Sequence, residues 1–508
     1  MWNPPLLLGV VTTTTNVGRH SARDEMANFA VGCVAVAMVL AIGFALADSG
    51  TNAVFAAVVR YLPLVLFGLL LLPILVFIAR RPQRGVLLLV AFVPFYGLLI
   101  IAPAKPPFAE GWKEALALYT LFWSLLSTPK RTRPRTKLPT VLQPILLYLG
   151  FGLAWVVALH NVRGLVGLKV NFFWLLLGVI VWRTPLTSRD RDRLLSILMV
   201  VTVITSLVGL AQQVVGDAFL VGLGYDYNTN VRFTGSFVRS FSTMDNPFNF
   251  AFFLTFALLI LLPQCLEDPR RQRNTAFLLA TPVVALALLF TFVRGAWLAL
   301  AVGCCYLAVR RYKVFLLLVP FVMLAGLLVP GNFSESALAT GSLGDRQQGW
   351  AQNINKAVSA PFGNGIGATG AAGLKAQQVE GSTRIVYEPD NQYFKALYEL
   401  GVFGLWALAL LFVGLIAAAR AAERRLAGID RAWALGLTAH VLGAIAAASI
   451  STWFEIFPND LFLWLTLAVV LTLSKPTSLS NATPAAVSRS VPSRFEATEV
   501  ASKPMPAN

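Results

Sequence analysis

The chain is a succession of long apolar runs separated by short basic clusters, and that alternation limits its folds sharply. Only an α-helix or a closed barrel satisfies its own backbone in hydrocarbon, and a helix needs about 20 apolar residues to cross it. Candidate runs lie near 27–47, 54–79, 85–102, 112–127, 141–160, 164–182, 194–214, 249–263, 275–293, 295–309, 314–329, 396–417, 432–450 and 460–474. They predict an all-α polytopic membrane protein with about 12–14 transmembrane helices. The pair across 275–309 is split only by Arg294. Hydrophobic residues make up 57% of the chain and charged ones 13%, against about 25% charged in a soluble domain.

The net charge of +17 would suit nucleic acid if it formed one soluble face. It does not. "ARRPQR" (79–84), "PKRTRPRTK" (129–137), "RTPLTSRDRDR" (183–193), "EDPRRQR" (267–273), "RRYK" (310–313) and "RAAERR" (420–425) sit between apolar runs. This is the positive-inside pattern, and the predicted spans put every cluster on one side. Both termini are then expected in the cytoplasm. Residues 1–25 read as a cytoplasmic lead-in, 26–329 and 392–474 as transmembrane helices, 330–391 as a large loop on the outer side, and 475–508 as a disordered cytoplasmic tail rich in Ser, Pro, Ala and Thr. A second outer segment covers 215–248. Cys33, Cys265, Cys304 and Cys305 form no CxxC pair and read as small buried hydrophobes. His20, His160 and His440 lack zinc spacing. No metal and no cofactor is expected.

Within the large loop, Ser342 and Asp345 form a capping-box-like start, and Trp350, Ile354 and Val358 make one apolar stripe of a short amphipathic helix ended by Pro361. "GNGIGATG" lacks a preceding strand, so a dinucleotide site is unsupported. Its glycines would let backbone approach a ligand or the membrane. Asn246-Pro247 is a helix start, with Asp245 placed to favour the positive end of the helix dipole.

Lysine and arginine are scarce outside, which makes Arg232, Arg239, Arg294, Arg346 and Arg384 informative; Arg163 is a sixth candidate. Arg294 either snorkels to the headgroups or faces a polar cavity. Asp390 precedes an apolar helix and could cap it, while Lys395 and Glu399 are spaced to pair along one helix face. Arginines gathered outside suit a phosphate, which they grip by forked hydrogen bonds. A carboxylate beside them suits deprotonating a hydroxyl. A transporter is the competing class; it needs charged or broken helices near the membrane midplane and commonly two related halves.

The pieces "RFTGSF…MDNPFNFAFF", "FVRGAWLAL", "DRQQGW", "GNGIG" and "DNQYFKALYELGVFGL" occur in an order that resembles the O-antigen ligase and polymerase superfamily of bacterial membrane glycosyltransferases, over about residues 230–410. The resemblance implies an inner-membrane enzyme acting on the periplasmic face without a metal. Its substrates would be an undecaprenyl-diphosphate-linked oligosaccharide and a glycan acceptor within the lipid bilayer, with other polysaccharide assembly proteins as further partners. Polymerases extend repeat units of O-antigen or exopolysaccharide; ligases transfer glycan to lipid A-core. Arg232, Arg294 and Arg346 stand at the family's arginine positions. Many ligases have histidine where this chain has Asp390, which favours a polymerase. The expected site then has Arg294 and Arg232 on the diphosphate with Arg239 and Arg346 assisting. Asp390 is the base, with Glu388 and Asp245 in reserve, and Asn391, Trp350 and Tyr393 contact sugar.

Overall fold

The computed structural model describes residues 71–99, 101, 111–127, 139–159, 162–317, 360–381, 386–387 and 389–474. The predicted lead-in, the spans at 27–47 and 314–329 for the most part, the amphipathic helix at 342–358 and the tail lie outside these residues, as do Arg346, Trp350, Arg384 and Glu388.

The described chain is an all-α polytopic membrane protein. An apolar helix at Leu71–Arg80 precedes α1 (Gln83–Phe92), which runs on as a 3-10 turn to Leu99. There follow α2 (Trp112–Leu126), α3 (Leu142–Leu159), α4 (Val162–Phe172), α5 (Leu175–Arg183) and α6 (Ser188–Gly222). A small hairpin, β1 (Phe233–Thr234) and β2 (Phe237–Val238), turns at Gly235 and leads to α7 (Pro247–Glu267), α8 (Gln272–Leu289) and α9 (Arg294–Arg310). The rest is α10 (Gly370–Glu380), α11 (Gln392–Arg425), α12 (Gly428–Ala447), a 3-10 turn at Trp453–Glu455 and α13 (Asn459–Leu473).

Among the described residues, α6, α7, α8 and α11 are each long and apolar enough to cross a bilayer. The predicted span at 164–182 is two helices, α4 and α5, bent by 52°. Both halves are apolar, so hydropathy alone gave no sign of the bend. The split expected at Arg294 is real: α8 ends at Leu289, Phe292 takes φ 53, and α9 begins at Arg294.

α7 is apolar all round and buried almost throughout, which makes it the central helix. It packs against α12, α8 and α9, while α12 also lies on α9 and α11. α5 packs on α13 and α2, and α4 on α10. Cys265 and Cys304 are buried as expected, whereas Cys305 is exposed.

Helix starts follow local chemistry. Thr187 and Asp190 form a reciprocal capping box at α6. Asn246 caps α7 as predicted, its side-chain oxygen accepting from the Asn249 N–H at 3.0 Å. At α11 the cap is Asn391 and not Asp390, because Asn391 Oδ1 reaches the N–H groups of Tyr393 (2.8 Å) and Phe394 (3.2 Å).

α11 breaks at Gly401 (φ 69), and the glycine loop explains why the break is tolerated. The Asn364 and Gly365 N–H groups donate to the Tyr398 and Glu399 carbonyls at 2.8 and 2.9 Å, and the Val402 N–H donates to the Pro361 carbonyl at 3.0 Å. Backbone groups released by the break are thus paired again. A Cβ at Gly363 would lie 2.4 Å from the Glu399 carbonyl oxygen. What approaches this end of the glycine run is the backbone of α11.

Five of the six basic clusters meet at one end of the bundle, and the sixth, 129–137, lies outside the described residues. Arg81 pairs with Asp190 (3.1 Å), Arg271 and Arg273 with Asp192 (2.6 and 2.7 Å), Arg310 with Glu423 (2.6 Å) and Arg311 with Glu267 (2.9 Å). The start of α7, the turn between α8 and α9, and the starts of α11 and α13 lie at the opposite end.

Candidate active site

The first turn of α7 organises that opposite end. Pro247 begins the helix and Asn246 caps it, so Asp245 is fixed immediately outside the first turn. Tyr96 donates a short hydrogen bond to Asp245 Oδ1, and Asn246 and Asn249 donate to the same oxygen at 3.0 and 2.5 Å. Asn230 fixes the backbone by donating to the Asp245 carbonyl at 2.6 Å. Among the described residues, nothing donates to Oδ2. One carboxylate oxygen is therefore anchored and the other is left available, beside a cleft of about 190 Å³ that Asp245 lines.

Aromatic rings and charges from separate segments form the other walls. Trp174 and Phe457 stand with ring centroids 5.2 Å apart. Lys113 Nζ lies 4.7 Å from the Tyr96 ring centroid and 4.5 Å from that of Phe457, within cation–π range. Lys169 pairs with Glu114 at 3.0 Å. Asp460, buried in the first turn of α13, accepts the Leu461 N–H at 2.8 Å. Lys375 and Glu455 complete the charged lining.

Behind Glu455 lies a buried ion cluster. Lys395 Nζ is 2.7 Å from Glu399 Oε1 and 2.9 Å from Glu455 Oε1, all three side chains being at most 3% exposed. Glu399 Oε1 also accepts from the Thr369 N–H and hydroxyl at 3.0 and 2.8 Å. Glu455 faces the Ala371 and Ala372 N–H groups, each 3.4 Å away, at the positive end of α10. The pairing expected for Lys395 and Glu399 is present, and Glu455 joins it from 56 residues beyond Glu399 in the chain, where no local spacing could announce it.

The arginines form a second polar region on the other side of the α7 start. The Arg239 N–H donates to the Arg232 carbonyl at 2.7 Å, extending the hairpin ladder, so the two arginines stand opposite one another. Residues opposed in a ladder share a face. Arg239 Nε donates to the Thr291 carbonyl at 3.1 Å, three residues before Arg294, and its guanidinium lies 5.1 Å from the Phe248 ring centroid. Arg232 Nε donates to the Thr229 carbonyl at 3.2 Å. Arg294, half-buried, opens α9. Phe248 thus touches the arginine region while Asp245, Asn246 and Asn249 line the cleft.

The remaining predicted site residues are placed differently. Asp390 is exposed and does not line the cleft. Burial, and then the charge of Asp390, pushes the neighbouring Tyr387 phenol up to about 12, so it stays a neutral donor. Asn391 and Tyr393 hold α11 against the end of α12: Asn391 Nδ2 donates to the Ser449 carbonyl and the Tyr393 hydroxyl to the Ile445 carbonyl, both at 2.8 Å. Sequence reasoning passed over Tyr96, Lys113, Lys375, Glu455 and Asp460. Tyr96 lies inside a predicted apolar run and Lys375 inside the predicted outer loop, while Lys113, Glu455 and Asp460 lie at or near the ends of predicted runs.

Fold and cleft together define a polytopic helical membrane protein with a charged, aromatic-lined cleft at one end. Residues 276–409 match the model of a family described as O-Antigen ligase, which supports the O-antigen ligase and polymerase superfamily. The match supports glycosyl transfer in O-antigen or polysaccharide assembly. It includes Arg294, Asp390 and the Lys395–Glu399 pair, and stops short of the hairpin and Asp245. No curated protein matches the chain.

Proposed function

We propose that this protein transfers a glycan from an undecaprenyl-diphosphate carrier to a sugar hydroxyl at the periplasmic face of the inner membrane, extending O-antigen or exopolysaccharide repeat units. The acceptor oxygen attacks the anomeric carbon, the bond from that carbon to the phosphate oxygen breaks, and the diphosphate departs with the bonding electrons. Arg294, Arg232 and Arg239, with Arg346, stabilise the departing charge, so no metal is needed for that role. The hydroxyl proton passes to a carboxylate. Asp245 fits this task best, with Asp390 and Glu388 as the other candidates. The polyprenyl chain stays in the bilayer, where the bundle's apolar exterior accepts it.

The observation that carries this reading is the two-sided first turn of α7. Asp245 offers one uncommitted oxygen to the cleft, and Phe248, three residues on, contacts Arg239 of the arginine region. A proton acceptor and a diphosphate clamp would then flank one helix start.

The test is reconstitution in liposomes with a lipid-linked oligosaccharide. Arg294→Ala is expected to slow transfer by about 10²-fold or more, the cost of losing one contact to developing charge. If Arg294→Ala and Asp245→Asn both leave chain growth unchanged, the assignment is wrong. Polymerase and ligase separate by gel analysis of surface glycans from a deletion strain. Single repeats capped on the acceptor mark a lost polymerase, and free lipid-linked polymer marks a lost ligase.

A further inference from the structure

The charged groups that line the cleft fall into two kinds. Some are already paired: Glu114 with Lys169 at 3.0 Å, and Glu455 with buried Lys395 at 2.9 Å. Asp245 and Asp460 are not. Asp245 holds its three donors on Oδ1, and Asp460 holds the Leu461 N–H on Oδ1 at 2.8 Å, so among the described residues each leaves its second oxygen without a donor. Two rings connect these carboxylates. Tyr96 donates to Asp245, its ring centroid is 5.0 Å from that of Phe457, and Phe457 lies three residues before Asp460. Lys113 sits over both rings, its Nζ 4.7 and 4.5 Å from their centroids. Glu114 and Asp245 draw its charge while Lys375 and Lys169 oppose it. Among the described residues, it closes into no ion pair.

Asp460 is the sharper observation. It is 3% exposed, it lines the cleft, and one N–H is all that holds it. Buried polar groups are normally satisfied, and an empty acceptor at the wall of a cleft is a place for a ligand's donor. A hydroxyl both donates and accepts. It can donate to a carboxylate oxygen and accept from an ammonium, and neighbouring hydroxyls on one sugar ring can do so together. An anion would meet the carboxylates here and a cation the lysines, so a neutral ring suits the mixture. We propose that Asp460 and Lys113 bind and orient the acceptor sugar. Asp460 accepts a hydrogen bond from one hydroxyl, Lys113 donates to the oxygen of another, and Asp245 faces the hydroxyl that attacks. This rests on the proposed transfer reaction, and it adds that the acceptor is a neutral sugar read through its hydroxyls.

The experiment uses the full chain in lipid nanodiscs and calorimetric titration with the methyl glycosides of glucose, galactose, mannose and rhamnose. The one bound best is then taken through its monodeoxy series. Loss of one hydroxyl is expected to weaken binding about tenfold in the unaltered protein, the worth of one hydrogen bond to a charged group. D460N keeps an oxygen for the Leu461 N–H, so it should melt no lower than the unaltered protein. It should bind the parent sugar about tenfold more weakly, and the same missing hydroxyl should then cost it about twofold or less, because the partner of that hydroxyl is already gone. K113M should show this coupling at a different hydroxyl. If D460N does not fold, K113M decides by the same criterion. The inference is overturned if none of the glycosides binds, or if every missing hydroxyl costs the variants as much as it costs the unaltered protein. It is also overturned if methyl glucuronide or the cationic methyl glucosaminide binds about tenfold tighter than the neutral glucoside. Binding is read without turnover. Transfer without the coupling retires this inference alone, and coupling without transfer retires the catalytic reading alone.

Discussion

The two ends of this bundle carry charge in opposite ways. At the basic end, charge meets charge. Asp192 is held by Arg271 through two bonds of 2.6 Å and by Arg273 at 2.7 Å, and Glu423 takes Arg310, Arg431 and the Tyr306 hydroxyl. A cavity of about 540 Å³ lies there, larger than the cleft, and each charge that lines it is already in an ion pair. At the opposite end, several charges are held by neutral groups: Arg232 bonds a carbonyl, Lys113 rests on rings, and Asp245 takes a phenol and two amides. A charge fixed by neutral neighbours is positioned without being neutralised. Cavity size therefore points to one end, and the state of the charges points to the other, where the site is proposed.

The buried Lys395 cluster is the exception at that end, and it gives the largest expected effect. Lys395→Met leaves Glu399 and Glu455 facing each other in the interior. Breaking a buried ion pair this way costs about 3–5 kcal/mol, so thermal unfolding in detergent should fall steeply. Replacing both glutamates by Gln in the same chain removes the uncompensated charge and should recover part of the loss. If Lys395→Met melts like the unaltered protein, the cluster does not hold α10 in place.

Asp245→Asn comes next and sharpens the comparison directly. Asparagine keeps an oxygen for Tyr96, Asn246 and Asn249, so the fold should hold. It gives up the negative charge beside the cleft. Transfer should drop by about 10²-fold or more, the usual share of a general base, with the melting temperature unchanged. A parallel loss of stability would mean that Asp245 serves the fold instead.

Gly401→Ala should cost less. Alanine at φ 69 is strained by about 1–3 kcal/mol, and its Cβ would sit 2.1 Å from the Pro361 carbonyl oxygen. Limited proteolysis near residues 361–367 should speed up. Unchanged cleavage would show that the glycine loop and the break in α11 do not depend on each other. That dependence also bears on the carrier reading. A broken helix and buried charges are features a carrier uses, yet here the break is closed by the loop and the charges by one another. Cysteines introduced near the cleft should label from one side of the membrane only; labelling that alternates between sides would favour transport.

How much of this was legible in the sequence follows from distance along the chain. The apolar runs announced helices because the period and length of a span are local. The α7 start was legible because Asn-Pro carries its own cap and turn. The split at Arg294 was legible because charge interrupted hydropathy. The cleft was not, since its lining runs from Tyr96 to Asp460 and each residue is ordinary among its chain neighbours. Asp390 drew attention because it stood where the family often has histidine. Asp245 could be explained by the helix dipole alone, and only the three donors on one oxygen reveal the other as available.

The smallest effect belongs to the basic end, and it is the one that could undo the contrast. Asp192→Asn removes the acceptor that Arg271 and Arg273 share. The Asp192 side chain is 38% exposed, and exposed pairs contribute about 1 kcal/mol or less each. The melting temperature should move by a few degrees at most, and the shift should vanish at high salt, because screening already weakens such pairs. Transfer should stay within about twofold of the unaltered rate, since a change well below 1.4 kcal/mol alters a rate by less than tenfold. A large loss of transfer with stability intact would mean that the paired charges at the basic end act in the reaction, and that pairing alone does not mark a charge as structural.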